Sequence, residues 1–343
     1  MNGELASMAM QEPTAAGTPA PRLIRESKHS VPLLCCAADA RGRFALAGGR
    51  DSALACWELE TGQLTLLEGH LSWVIAAVRC GESSILTADQ VGRVIAWDCS
   101  GALPTIAYRI DCPSGSIVSL AVSPDGARFA TGDRLGQIGL YQARDGERIQ
   151  QITGLVHPVY ALDFHPQTNR LASADRQPQK PRLKIWDLET GQEQRSQEIA
   201  ELSAYRRVED IEWGGIRAIR YSARGTTLVA CGSNHYAGPA CAMLFDSETG
   251  ELKRKYQSSL KGFYYTAHFH PHGLLVTSGG DIGKGEVAFW SMEQDQPLAT
   301  ISTAGPCLGL DLTLDGRRAV TAQMIGKGSY PDSGHLALYE WTT

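Results

Sequence analysis

An all-β chain built from seven copies of one four-stranded unit is what this sequence predicts, on three observations. The first is an aromatic residue, usually followed by an acidic one, that recurs seven times: Trp57-Glu58, Trp97-Asp98, Tyr141-Gln142, Trp186-Asp187, Phe245-Asp246, Trp290-Ser291 and Tyr339-Glu340. Successive aromatics lie 40, 44, 45, 59, 45 and 49 residues apart, a period that marks stacked copies of one supersecondary unit. The second is a turn signal ahead of each of six pairs, such as Ser123-Pro124-Asp125-Gly126 or His270-Pro271-His272-Gly273. The third is a turn just after most pairs, as in Glu60-Thr61-Gly62 and Glu189-Thr190-Gly191. Pro supplies a fixed φ and Gly a tolerated positive one, so both end a strand and reverse the chain. Four short strands with such turns fill one period, and the unit reads as a propeller blade.

The elements follow in order. Between the turns run short segments of strand composition, such as Ile117-Val118-Ser119-Leu120-Ala121-Val122 and Leu183-Lys184-Ile185-Trp186. Residues 1–21 are rich in Ala, Thr, Pro and Gly and read as a disordered tail, with no basic-then-apolar secretory pattern. Residues 22–343 are expected to form one propeller domain.

Composition narrows the function. A formal net charge of −5 argues against a general nucleic-acid binder, and no apolar run of membrane-spanning length is present. Nine cysteines, an odd number without a C-x-x-C pair, sit mostly inside the expected strands. They read as buried free thiols and favour a reducing compartment, here the cytoplasm.

Residues 29–57 run His29-Ser30, an apolar strand, Gly42, Ala47-Gly48-Gly49, Asp51 and Trp57, and residues 70–98 repeat the pattern as far as Trp97-Asp98. In this the chain resembles the WD-repeat family of β-propellers from about residue 22 to its end. The resemblance implies a ring of seven blades closed by an N-terminal strand, residues 22–28, that completes the last blade. It also implies a hydrogen-bonded set of Trp, Ser or Thr, His and Asp in each blade. Here the sets look broken: blade one has Ala47 at the hydroxyl position, Asp89 of blade two lies two residues early, and His157 of blade four is displaced. No blade is expected to hold the complete set.

Enzyme signatures such as G-x-S-x-G, a Walker loop and H-E-x-x-H are absent from the sequence. His268 and His270 could share one strand face as metal ligands, but His270 falls at the turn position of Ser123 and His165, and no third ligand stands out. No metal or cofactor is expected. Asp163, Arg220, His268 and Asp311 occupy one equivalent strand position in blades four to seven, which leaves a propeller hydrolase or lactonase as a further alternative.

Recognition loops fit better. The connection between the second and third strands lengthens in blades four to seven, at residues 175–182, 232–240, 279–286 and 323–335, and an insertion at 201–214 carries Tyr205, Arg206, Arg207 and Trp213. All should emerge on one face. At that face the residues entering the innermost strands include Trp73 and Phe263, with Tyr160, Tyr264 and Tyr265 beside them. The expected function is a non-enzymatic scaffold for a protein or peptide, anchored on Trp73, Tyr160, Trp213, Phe263 and Tyr264. The alternative is an acidic or phosphorylated ligand held by Lys284 and Lys327 in two Ile-Gly-Lys-Gly loops.

Overall fold

Seven four-stranded antiparallel sheets follow one another along the chain in the computed structural model. The structure describes residues 20–113, 115–153, 155–175, 177, 179–203, 205–206, 211–212, 215–233, 238–326 and 331–341. The first strands of blades one to seven are Leu33–Ala38, Val74–Cys80, Ile117–Val122, Val159–Phe164, Ala218–Tyr221, Phe263–Phe269 and Cys307–Leu312. Each packs against the first strands of both neighbours, so these seven line a central channel. The expected seven-bladed propeller is present.

Blade seven shows how the ring closes. Its sheet runs in space as Cys307–Leu312, Arg318–Ile325, Ser333–Glu340 and then Arg22–His29, the chain's first described strand. Arg22 faces Glu340 and His29 faces Gly334, and His335 Nδ1 lies 2.7 Å from Glu26 Oε1. Closure by an N-terminal strand is therefore as expected, and it leaves no blade with three strands.

The repeated aromatic pairs have a double purpose. Each aromatic is buried at the end of a third strand and packs against the blade before it: Trp57 joins Val320 and Leu336 of blade seven, Trp97 joins Leu46 and Cys56 of blade one, and Trp290 joins Val229 and Leu244 of blade five. The core is thus divided into seven inter-blade clusters rather than one central mass. The acidic partner instead caps the following turn. Asp187 Oδ1 accepts the N–H groups of Glu189 and Thr190, and Asp246 Oδ1 those of Glu248 and Thr249. Those N–H groups, Thr190 foremost, hold the Asp187 carboxyl below the usual carboxylate range.

Blade two corrects one expectation. His70 Nδ1 lies 3.2 Å from Asp89 Oδ2, His70 Nε2 lies 2.7 Å from Thr87 Oγ1, and Trp97 Nε1 donates to Thr87 Oγ1 at 2.8 Å. The set is complete here. Asp89 lies two residues early in sequence yet completes the set, because its Oδ2 reaches His70 and the Leu71 N–H of the neighbouring inter-blade loop while its Oδ1 holds its own turn. The other blades keep fragments. Trp186 Nε1 donates to Ser173 Oγ and Trp290 Nε1 to Thr277 Oγ1, whereas blade one has Ala47 at the position of Thr87 and the buried Nε1 of Trp57 has no hydrogen-bond partner.

All nine cysteines are free and buried. Burial pushes their thiols up, those of Cys35 and Cys307 to about 12. Among the described residues no helix is long and apolar enough to cross a membrane.

Candidate functional site: the upper face and the channel

The upper face carries the connections between blades and the hairpins joining second to third strands. These two sets of loops are tied together blade by blade. Arg50 N–H donates to Pro32 O, Gln90 N–H to Trp73 O, Arg134 N–H to Ser116 O and Met324 N–H to Pro306 O, at 2.9–3.1 Å. The tetrad of blade two extends the same bracing. Asp89 accepts the backbone N–H of Leu71 on one oxygen and those of Val91 and Arg93 on the other. A buried structural carboxylate thereby fixes two adjacent surface loops.

Those loops present apolar side chains to solvent. Leu71 is 64% exposed, Trp73 43%, Val91 48%, Leu135 63% and Val156 85%. They succeed one another around blades two to four. Gly92, after Val91, abuts Gly115 of the next inter-blade connection, and Gly136, after Leu135, packs on the carbonyls of Leu155 and His157 that flank Val156. A Cβ at Gly136 would stand 2.3 Å from Leu155 O, so only glycine permits this approach. These exposed apolar side chains therefore lie together on the loops of blades two to four.

The sequence-predicted site residues are distributed unevenly. Trp73 stands on the rim with the Arg50 guanidinium 5.5 Å from its ring centroid. Phe263 is half-buried on the opposite side of the mouth, beneath Arg217 at 4.5 Å and beside Tyr265 at 5.9 Å. Tyr160 is half-buried at the second position of its strand. Tyr264 is no rim residue: strand alternation turns it into the core, fully buried, where its Oη donates to Glu286 Oε1 at 2.6 Å. Trp213 and Lys327 lie outside the described residues, so the expected pairing of Lys284 with Lys327 has no geometry here. Within the insertion, Tyr205–Arg206 pairs with Ile211–Glu212 as a short ribbon.

Lys284 is exposed in the upper-face hairpin of blade six. The strands of blade six continue to Asp281 and resume at Lys284, closing the hairpin on Ile282-Gly283. Gly285 is needed because a Cβ there would lie 2.1 Å from Gly305 O. In the same way His270 is a turn cap. Its Nδ1 accepts from His272 N–H and its Nε2 lies 2.6 Å from Gly316 O, while His268 lines the channel.

Sequence reasoning passed over Leu71, Val91, Leu135, Val156 and the two ring-stacked arginines. One signal was available. Val91-Gly92, Leu135-Gly136 and Ile282-Gly283 each place an apolar residue at the tip of a hairpin, where a polar one is ordinary.

Down the channel, the charges at the equivalent strand position are spent on neighbouring blades. Arg220 pairs with Asp163 at 3.0 Å, and Asp163 Oδ2 accepts Tyr221 N–H of the next blade. Asp311 accepts Ala38 N–H and the Arg79 guanidinium. Both carboxylates at this strand position thus bind adjacent blades together.

A ring of seven four-stranded blades, closed by the first strand and faced with braced loops, defines a seven-bladed β-propeller. This architecture and the relatives it resembles, named as WD-repeat and nuclear distribution proteins, support a WD-repeat β-propeller. It is 26% identical over 185 residues to the nuclear distribution protein PAC1 of Arthroderma otae, an alignment covering 46% of this chain and 38% of that protein. The PAC1 of Trichophyton verrucosum gives the same identity and coverage. The WD repeat-containing protein SL1-17 of Schistosoma mansoni is 25% identical over 178 residues, covering 50% of this chain and 58% of its own length. The chain thus spans little more than a third of the PAC1 relatives. No protein-family model matches it.

Proposed function

We propose that this chain is a non-enzymatic interaction scaffold that takes a protein or peptide partner on its upper face. The observation carrying this reading is the arc of exposed apolar side chains from Leu71 through Trp73, Val91 and Leu135 to Val156, set on loops held by backbone hydrogen bonds. Rigid apolar anchors lose little side-chain entropy on binding, and a tryptophan ringed by weaker contacts is a favoured hot spot. Arg50, stacked on Trp73, adds a charged edge beside the apolar patch. Nine buried free thiols suit a reducing setting such as the cytoplasm.

Affinity purification tests the reading. Wild type should retain a partner that a Trp73→Ala, Leu135→Glu double variant loses, with both proteins equally folded by circular dichroism. Retention of the same proteins by both would remove the upper face as the docking surface.

A further inference from the structure

A cavity of about 150 Å³ opens in the wall of the central channel, where first strands of blades one, two, five, six and seven meet. Its polar lining is Arg79, Arg220, Thr266, His268 and Asp311, and the rest is apolar, including Leu34, Ile75 and Leu308.

The balance of donors and acceptors in this lining decides what it can hold. The carboxylates are already engaged: Asp163 by Arg220 and Tyr221 N–H, and Asp311 by Arg79, Ala38 N–H and Leu312 N–H. A cation would find no carboxylate oxygen without a donor. Donor capacity is in excess, because Arg220 uses one terminal nitrogen on Asp163 while its Nε–H is buried with no hydrogen-bond partner. Buried donors require acceptors, which selects an anion.

His268 refines the choice. It is hydrogen-bonded to the Leu310 backbone, and burial together with the Arg220 guanidinium pushes its pKa down to about 4. At neutral pH the ring is therefore uncharged, with a lone pair on its second nitrogen. An anion that accepts from Arg220 and also donates to an imidazole nitrogen carries its own hydroxyl. Hydrogen phosphate has one, whereas sulfate and chloride do not.

We propose that the channel cavity binds a single phosphate group, Arg220 and Thr266 donating to its oxygens and its P–OH donating to His268. The volume accommodates phosphate and is too small for a nucleotide. This site is separate from the upper-face arc, and its failure would leave the docking proposal standing.

Isothermal titration with inorganic phosphate at pH 7, against sulfate at matched ionic strength, tests it. One site is expected, with phosphate at least tenfold tighter than sulfate. Arg220→Gln should weaken phosphate at least tenfold, and His268→Phe should erase the preference over sulfate. Because Arg220→Gln strands Asp163, the Asp163→Asn, Arg220→Gln double variant keeps the wall neutral, and Thr266→Val probes the same contact without touching a charge. Absence of phosphate binding to wild type overturns the proposal, as does equal affinity for sulfate or affinity unchanged in all these variants. A phosphoserine peptide added in competition identifies the source: displacement assigns the group to a partner side chain, and no displacement assigns the free ion.

Discussion

Arg79 of blade two reaches past blade one to Asp311 of blade seven, with 3.0 Å between guanidinium and carboxylate. The bond spans 232 residues of sequence and crosses an entire blade. It is possible because blade one presents Ala37 and Ala38 where blades four to seven carry larger side chains. Arg79 Nε also donates to Ala38 O, and the guanidinium donates to Leu312 O, so one side chain ties three blades at the place where the ring closes.

Arg79→Met should therefore destabilise the fold by about 3 kcal/mol, since it leaves a mostly buried carboxylate without its cation. Adding Asp311→Asn should recover part of that loss. Urea denaturation of both variants checks this, and additive losses would show that the two residues act independently.

Ala47→Ser should stabilise the protein by about 1 kcal/mol. The buried Nε1 of Trp57 has no partner, and a hydroxyl at position 47 stands where Thr87 meets Trp97. The reverse change, Thr87→Ala, should cost about 2 kcal/mol, because His70 and Trp97 both lose their shared oxygen. Melting temperatures of the two variants should move in opposite directions.

Trp73→Ala should weaken partner binding by about 2 kcal/mol while leaving the melting temperature nearly unchanged, as suits an anchor 43% exposed. A thermal loss equivalent to about 3 kcal/mol or more would instead class Trp73 as a core aromatic.

Deleting residues 1–20 should leave the melt unchanged, whereas deleting residues 1–30 removes strand Arg22–His29 and bares the edge of Ser333–Glu340. The longer deletion should aggregate in size-exclusion chromatography. A monomer with the wild-type transition would refute the closure assignment.

Stability should fall as pH drops from about 6.5 to 4. Burial holds His268 at about 4 in the folded state and also lowers His165 and His270 from the ordinary 6.5, so the unfolded chain takes up more protons in that window. Their contribution is fully present above 6.5 and is lost as pH falls through the folded pKa. His268→Asn should flatten this part of the stability profile.

The ring was legible because its signal is periodic: seven aromatics mark seven inter-blade clusters, and leftover strands at both ends pair in blade seven. The unpartnered Trp57 was legible too, through Ala47. Contacts that depend on reach were not. Asp89 serves N–H groups of its own turn and of the neighbouring inter-blade loop, and Arg79 contacts a residue more than two hundred positions away, neither of which any spacing rule encodes. The Ile-Gly-Lys-Gly segment of blade six is ambiguous in sequence for a related reason. A glycine kept for close backbone packing is indistinguishable in sequence from one kept for a ligand.

Pairing of Arg22–His29 with Ser333–Glu340 sets an order of events during synthesis. Blades one to six can assemble as they leave the ribosome, each burying its aromatic against its predecessor. Trp57 is the exception, since its packing partners Val320, Leu336 and Leu338 belong to blade seven and are made only after blades two to six. Until they emerge, blade one keeps an uncovered flank and the first strand has nothing to pair with. The nascent chain is thus an open crescent, exposed to other chains at both tips and in need of shelter until its last strand arrives.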